Sequence, residues 1–285
     1  MAEPLAGLAL AEAPASRWQR WCQRLNYGWR VLATGWCFFS FSLGGLLLTL
    51  TVFPIIHLRW RDPDQRRDRA QRAIHQSFRF FIGQMIWLGV MSVELRNAER
   101  LRELNGVLVL ANHPTLIDVV LMISLMPRAD CIVKEALWRN RYLGGVVRAA
   151  HYIPNRGAEQ LVQDCSKALA KQRPLIVFPE GTRTVPGEPF SFQRGAAHVA
   201  LATGCEMVPV ILTCNPPTLT KATRWYQVPP RRFHVRLDVL APIRADQIIA
   251  SGTEAPLASR QLTRWLQQFF SDAVAAADGK SSAIE

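Results

Sequence analysis

Residues 31–58 run for 28 positions without a Lys, Arg, Asp or Glu. Roughly 20 apolar residues in a helix suffice to cross a bilayer. Any fold for this chain must therefore bury the run in protein or give it to lipid. Gly44-Gly45 lies in its middle and Pro54 near its end. That predicts a kinked or broken helix, because proline removes a backbone donor and glycine weakens the helical turn. Both flanks are cationic: Arg17, Arg20, Arg24 and Arg30 precede the run, and Arg59, Arg61, Arg66, Arg67, Arg69 and Arg72 follow it. A single crossing cannot keep both flanks on the side that favours positive charge. The expectation is a re-entrant or in-plane anchor with both ends cytoplasmic, a single span being the alternative. Trp18, Trp21, Tyr27 and Trp29, set among the first arginines, suit a membrane–water interface.

Around this run the chain divides into four parts. Residues 1–16 are Ala-rich, carry Glu3 and Glu12 and lack a basic start, so they read as a disordered start and not as a signal peptide. Residues 17–92 read as a membrane-associating helical region, with a charged connector at 62–72 and a second apolar segment at 78–93. Residues 93–275 read as an α/β domain, and 276–285 as a tail. Beyond Glu94 short apolar runs alternate with amphipathic ones, which predicts a mixed, largely parallel sheet flanked by helices. Strands are expected at 107–110, 131–134, 152–154, 175–178, 207–212 and 233–240. Helices are expected at 98–104, from His113 to about 126, and at 137–148, 158–171, 194–203 and 261–274. Pro209 inside its strand marks an edge or a bulge.

The formal charge is +12, from 34 basic and 22 acidic residues. Half of the excess lies in the first 90 residues, where eleven Arg face five acids. Such a balance suits an anionic membrane surface and anionic substrates. No zinc finger and no aromatic-basic strand signature points to nucleic acid. The six cysteines (Cys22, Cys37, Cys131, Cys165, Cys205, Cys214) form no Cys-x-x-Cys pair and no His/Cys ligand spacing. They read as reduced core thiols in a cytoplasmic protein, with no metal site expected.

Two polar stretches carry chemistry. Residues 112–118, Asn-His-Pro-Thr-Leu-Ile-Asp, leave a buried strand, and Pro114 suits the first position of a helix. His113 then sits at a strand-to-helix corner with Asp118 about one turn on. A carboxylate so placed fixes one imidazole nitrogen and raises the basicity of the other, as a general base requires. On its own the stretch equally fits an ordinary helix start. Residues 178–183, Phe-Pro-Glu-Gly-Thr-Arg, also leave a buried strand. Glu180 offers a carboxylate, Gly181 a backbone that can approach a ligand, Thr182 a hydroxyl and Arg183 a planar cation suited to phosphate. Alone, this is also what a surface turn with a Glu–Arg pair looks like. Loops beyond the carboxyl ends of parallel strands share one rim, so the two stretches are expected to meet.

As a pair, they resemble the glycerolipid acyltransferase family typified by 1-acyl-glycerol-3-phosphate acyltransferases. His113 and Asp118 match its His-x4-Asp motif, and residues 178–183 match its third motif in full. Tyr152-Ile153-Pro154-Asn155-Arg156 matches the second loosely, and Val208-Pro209-Val210 looks like the fourth. The resemblance covers about residues 93–240. The departure in the second motif bears on the acceptor more than on the chemistry. The wording around residues 114–156 and 214–220 looks closest to members associated with aryl-polyene pathways.

The resemblance implies acyl transfer from a thioester, of acyl carrier protein or coenzyme A, to the hydroxyl of a lysophospholipid or another lipid or aryl-polyene acceptor. It implies that His113 deprotonates the hydroxyl and Asp118 holds the imidazole. Arg183, Arg156 and Lys134 would hold an acidic headgroup, Glu180 would order that cluster, and N–H groups near Gly181 would receive the oxyanion. No cofactor is implied, and the place of action is the cytoplasmic face of the inner membrane. No Gly-x-Ser-x-Gly elbow is present, which argues against an acyl-enzyme. Trp225-Tyr226 among Arg224, Arg231 and Arg232 reads as a basic, aromatic loop facing the bilayer, the carrier protein or plain solvent. Two further classes remain: a lipid or thioester hydrolase using the same base, and a non-catalytic membrane adaptor.

Overall fold

The first elements of the computed structural model, which describes residues 16–140 and 143–281, are helical. Helix α1 (Arg17–Leu47), a π-helical turn (Leu48–Val52) and α2 (Phe53–Arg59) follow one another without leaving helical dihedrals. The interruption expected from Gly44-Gly45 and Pro54 is thus a local widening. The N–H of Phe53 bonds five residues back to Leu48, and Pro54 falls in the first turn of α2, where its missing donor costs least. The expected disordered start lies outside the described residues, apart from Ser16.

Helix α3 (Pro63–Trp87) begins almost at once. Asp62 caps it, accepting from the N–H groups of Asp64 and Gln65 at 3.3 Å each. The arginine-rich stretch read as a connector is therefore the start of this helix. α3 folds back antiparallel on α1: Phe41 meets Phe78 and Phe81 at ring distances of 5.4 and 4.8 Å, and Trp29 donates to the Leu88 carbonyl at 3.0 Å. Gly89, at φ 72°, then stops the helix, with its own N–H on Ile86 and that of Val90 on Met85, both at 3.0 Å. This stop releases β1 (Met91–Arg96), a strand missed when residues 78–93 are read as one segment.

Apart from 3-10 turns at Ala98–Arg102 and Ala245–Gln247, the remaining elements are β2 (Leu108–Ala111), α4 (Asp118–Leu125), β3 (Asp130–Lys134), α5 (Glu135–Arg139), α6 (Gly144–Ala149), β4 (Ile153–Asn155), α7 (Ala158–Ala170), β5 (Leu175–Val177), α8 (Gly195–Thr203), β6 (Met207–Asn215), β7 (Phe233–Val239) and α9 (Ala255–Ser281). α9 continues past the end expected from its periodicity, to Ser281. The sheet order is β1-β7-β6-β2-β5-β3-β4, and every pair is parallel except β6–β7. Side chains along β2 alternate between two cores. Val109 and Ala111 join the layer of α1, α3 and α4, whereas Leu108 and Leu110 join the layer of α7, α8 and α9. Burial on both faces explains why these strands read as unbroken apolar runs.

Pro209 does not mark an edge, because β6 lies between β7 and β2. The bulge reading fits. Between the pairs Met207↔Ile243 and Val210↔Val239, β6 advances three residues and its partner four. The missing donor of Pro209 falls in that irregular step.

A buried polar joint fastens α3 to the sheet. Asp130, with no exposure, takes hydrogen bonds from Arg67, Gln71 (2.9 Å) and Arg173 (3.3 Å), and Arg173 also reaches Asp68 at 2.7 Å. Arg67, Asp68 and Gln71 belong to α3, so the helical hairpin and the sheet are one body.

Candidate active site

β2, β5, β3 and β4 run parallel and end on one rim, so the loops after them begin side by side. The helix after His113 starts later than expected, at Asp118, and residues 114–117 form a tight turn before it. The turn folds the Asp118 carboxylate back onto the residues ahead of it. Its Oδ2 lies 2.8 Å from His113 Nδ1 and 2.6 Å from the Thr115 N–H, and its Oδ1 accepts from the Thr115 hydroxyl at 2.5 Å. Asp118 and Thr115 have no exposure, while the His113 side chain keeps 15%. The carboxylate orients the imidazole with its proton on Nδ1, which leaves Nε2 as the basic nitrogen.

The loop after β5 closes against this corner. Glu180 Oε1 accepts from the His113 N–H and from the Thr184 hydroxyl, each at 2.9 Å, and the Thr184 N–H donates to the His113 carbonyl at 2.7 Å. The Phe178 ring packs 4.5 Å from the imidazole. Glu180 is buried, and burial pushes its carboxyl above the usual range although its two donors pull the other way. Glu180 thus faces His113 and its loop, not open solvent where a headgroup would bind. Gly181, at φ 64°, turns its N–H to the Phe178 carbonyl at 3.0 Å. That removes the N–H of Gly181 itself from the expected oxyanion donors, since it is already spent in the turn. Thr182 is half-buried beside it.

Arg183 is held rather than open. Its Nη1 donates to the carbonyls of Leu219 (2.9 Å) and Thr220 (2.8 Å), and Leu219 also accepts from the Leu116 N–H at 3.0 Å. The loop between β6 and β7 therefore ties both polar stretches together. Asn112 does the same towards β6, exchanging hydrogen bonds of 2.7 and 2.8 Å with the Leu212 carbonyl and N–H. Thr115, Thr184 and Asn112 escaped the reading of the sequence, because short polar side chains in a turn give no spacing signal.

Lys134 and Arg156 stand apart. They end β3 and follow β4, two and three strands from β2, which is about 10 and 14 Å along the sheet at ~4.8 Å per strand. Both are exposed. Arg156 lies 3.9 Å from Glu135 and over the Trp138 ring at 5.4 Å.

A cavity of about 380 Å³ opens beside the corner, touching Asn112, Pro114 and Thr184. Val185, Phe190, Leu212 and Val274 give it apolar walls, and its charged lining residues are Glu188 and Asp278. Cys214 also lines it, but burial, with the Asp118 charge nearby, pushes its thiol up to about 12. It is no thiolate nucleophile at neutral pH.

The same two stretches fall inside the segment, residues 92–213, that matches the acyltransferase family. That match spans 122 of the 285 residues. Relatives named 1-acyl-sn-glycerol-3-phosphate acyltransferase include one from Limnanthes alba, 30% identical over 58% of this chain and 59% of its own length. One from Cocos nucifera is 32% identical over 36% of each chain, and the alpha form of Mus musculus is 24% identical over 74% of this chain and 72% of its own. The chain thus spans between about a third and three fifths of the plant relatives it matches. The acyltransferase domain and its helical hairpin share their fold with the crystal structure of the 1-acyl-sn-glycerophosphate acyltransferase of Thermotoga maritima. That match has a TM-score of 0.62 at 20% identity, over 85% of this chain and 98% of the other. The aryl-polyene branch finds no support among these relatives.

Proposed function

We propose that the protein is a membrane-bound O-acyltransferase that moves a fatty acyl group from a thioester to the hydroxyl of a lysophospholipid such as 1-acyl-glycerol-3-phosphate. One observation carries the reading: His113 Nδ1 lies 2.8 Å from a fully buried Asp118 carboxylate. In this reading Nε2 takes the proton of the acceptor hydroxyl as its oxygen attacks the thioester carbonyl, and the thiol of acyl carrier protein or coenzyme A departs. Such base assistance is typically worth about 10²–10⁴ in rate. Glu180, Thr115 and Thr184 position the base, Arg183 ties its loop to the carbonyls of Leu219 and Thr220, and Lys134 and Arg156 supply the positive rim for an anionic headgroup.

Membrane association fits the helical hairpin. Residues 20–59 form a helix long and apolar enough to cross a bilayer, with only 6% of its most apolar window buried. α3, however, carries Arg66, Arg67, Arg69 and Arg72, packs on α1 and is joined to the sheet. A rod attached in this way supports a monotopic anchor better than a crossing helix.

A second reading, the same transfer to an acceptor without phosphate, is favoured by the cavity beside His113, whose charged lining residues are acids. Mass spectrometry of the products formed by purified protein separates the two. The protein is given acyl-coenzyme A or acyl carrier protein, a panel of lysolipids, and neutral polyene or lipid alcohols. Acylated lysophosphatidate from the wild type and none from His113→Ala supports the first reading. Donor consumed without an acylated product points to a hydrolase, and full activity in His113→Ala removes the mechanism.

A further inference from the structure

The loop between β6 and β7, residues 216–232, contains four basic residues and no acid. Its aromatic tip, Trp225 and Tyr226, is 48% and 41% exposed. β6 ends at the active-site rim, so the loop hangs over that rim. Two contacts fix where it lies. The buried guanidinium of Arg30 in α1 donates to the Pro230 carbonyl. Gly35, one turn on, leaves room for the Trp225 ring, which a Cβ there would meet at 3.2 Å. The loop therefore continues the exposed apolar surface of α1, where Trp29 and Trp36 are more than half exposed.

We propose that residues 216–232 form a second, interfacial lipid-binding element, distinct from the helical hairpin. Trp225 and Tyr226 enter the headgroup layer of an anionic bilayer, while Lys221, Arg224 and Arg232 meet its phosphates. Amphipathic aromatic rings favour that depth. Cations close to an anionic leaflet each gain about fivefold in affinity. Continuity with α1 favours a lipid surface over an acidic carrier protein, because a protein docked on Trp225 would have to share the face that α1 gives to lipid. The far end of the loop is held by Arg183 and by the Leu116 N–H, so docking the loop sets the height of the catalytic corner above the headgroups.

This rests on membrane association of α1, and the test separates the two. Full-length Cys22→Ser/Tyr226→Cys protein is labelled at position 226 with an environment-sensitive fluorophore, and a parallel sample, Cys22→Ser/Leu43→Cys, is labelled on α1. Each is mixed with vesicles of phosphatidylcholine, with or without phosphatidylglycerol, containing a headgroup-level nitroxide lipid. The expected result is quenching at both positions in anionic vesicles. Lys221→Gln/Arg224→Gln/Arg232→Gln should weaken quenching at 226 several-fold and leave that at 43 unchanged. Quenching at 43 with none at 226 overturns the proposal while sparing the anchor. Quenching at neither overturns both. A spectral change at 226 caused by acyl carrier protein, and not by vesicles, transfers the loop to a protein partner and overturns the lipid assignment.

Discussion

The corner at His113 and the rim at Lys134 and Arg156 lie on the same edge of one sheet, yet they are built in opposite ways. Around His113 almost every polar atom is buried and committed. Asp118 accepts three hydrogen bonds, Glu180 two, and Arg183 is spent on backbone carbonyls. At β3 and β4 the cations stand in solvent, with Arg156 against one glutamate and one tryptophan. In the proposed mechanism position is enforced where the proton moves, because a base displaced slightly from its partner loses much of its rate. In the same proposal charge is left adjustable at the rim, where attraction of a headgroup suffices, because an exposed cation acts over a distance without fixed geometry.

The contrast can be broken by mutation. His113→Ala should lower kcat by about 10²–10⁴, read as initial rate at saturating donor. Glu180→Ala should come next. It strips the acceptor from the His113 N–H and the Thr184 hydroxyl, a loss of about 1.5–3 kcal/mol or roughly 10–100-fold, and it should appear in kcat with KM little changed. Glu180→Gln keeps an acceptor oxygen and should retain most of the activity. A Glu180 that instead held the headgroup would shift KM. Arg156→Ala should raise KM for a phosphate-bearing acceptor by only about two- to fivefold with kcat intact, since exposed charges are worth ~0.2–1 kcal/mol. A large kcat loss there would erase the distinction between corner and rim.

The smallest effect concerns stability. The folded state keeps a proton on Glu180 to higher pH than the unfolded chain does, because burial raises its carboxyl above 4.5. Stability should therefore fall as pH rises from the ordinary glutamate value through the raised one, and stay level above it. Denaturant midpoints measured across that window should show this slope in the wild type and lose it in Glu180→Gln.

The pattern of the sheet was legible in the sequence because strands buried on both faces must be continuously apolar, as residues 107–110 and 175–178 are. β1 was hidden because its helix stop depends on Gly89 adopting a left-handed backbone, not on any break in hydrophobicity. Pro209 misled as an edge signal because its empty donor position is absorbed by a slip in the neighbouring strand. At the site, His113 with Asp118 and Glu180 with Arg183 were legible as residue types. The roles of the second pair were not, since a carboxylate that serves a backbone N–H and a guanidinium that serves carbonyls look the same in a sequence as ligand-binding groups. Thr115, although inside the first polar stretch, and Thr184 gave no sign of the roles they take.

The Asp130 joint has a practical corollary. Removing residues 1–87 to obtain a soluble catalytic fragment would take away Arg67, Asp68 and Gln71, leaving Asp130 and Arg173 alone at a newly wetted surface. It would also uncover the apolar bed now filled by Ile74, Phe81 and Met85. The hairpin proposed as the anchor is thus also a keystone of the sheet domain, and detergent, not truncation, is the route to handling this molecule in water.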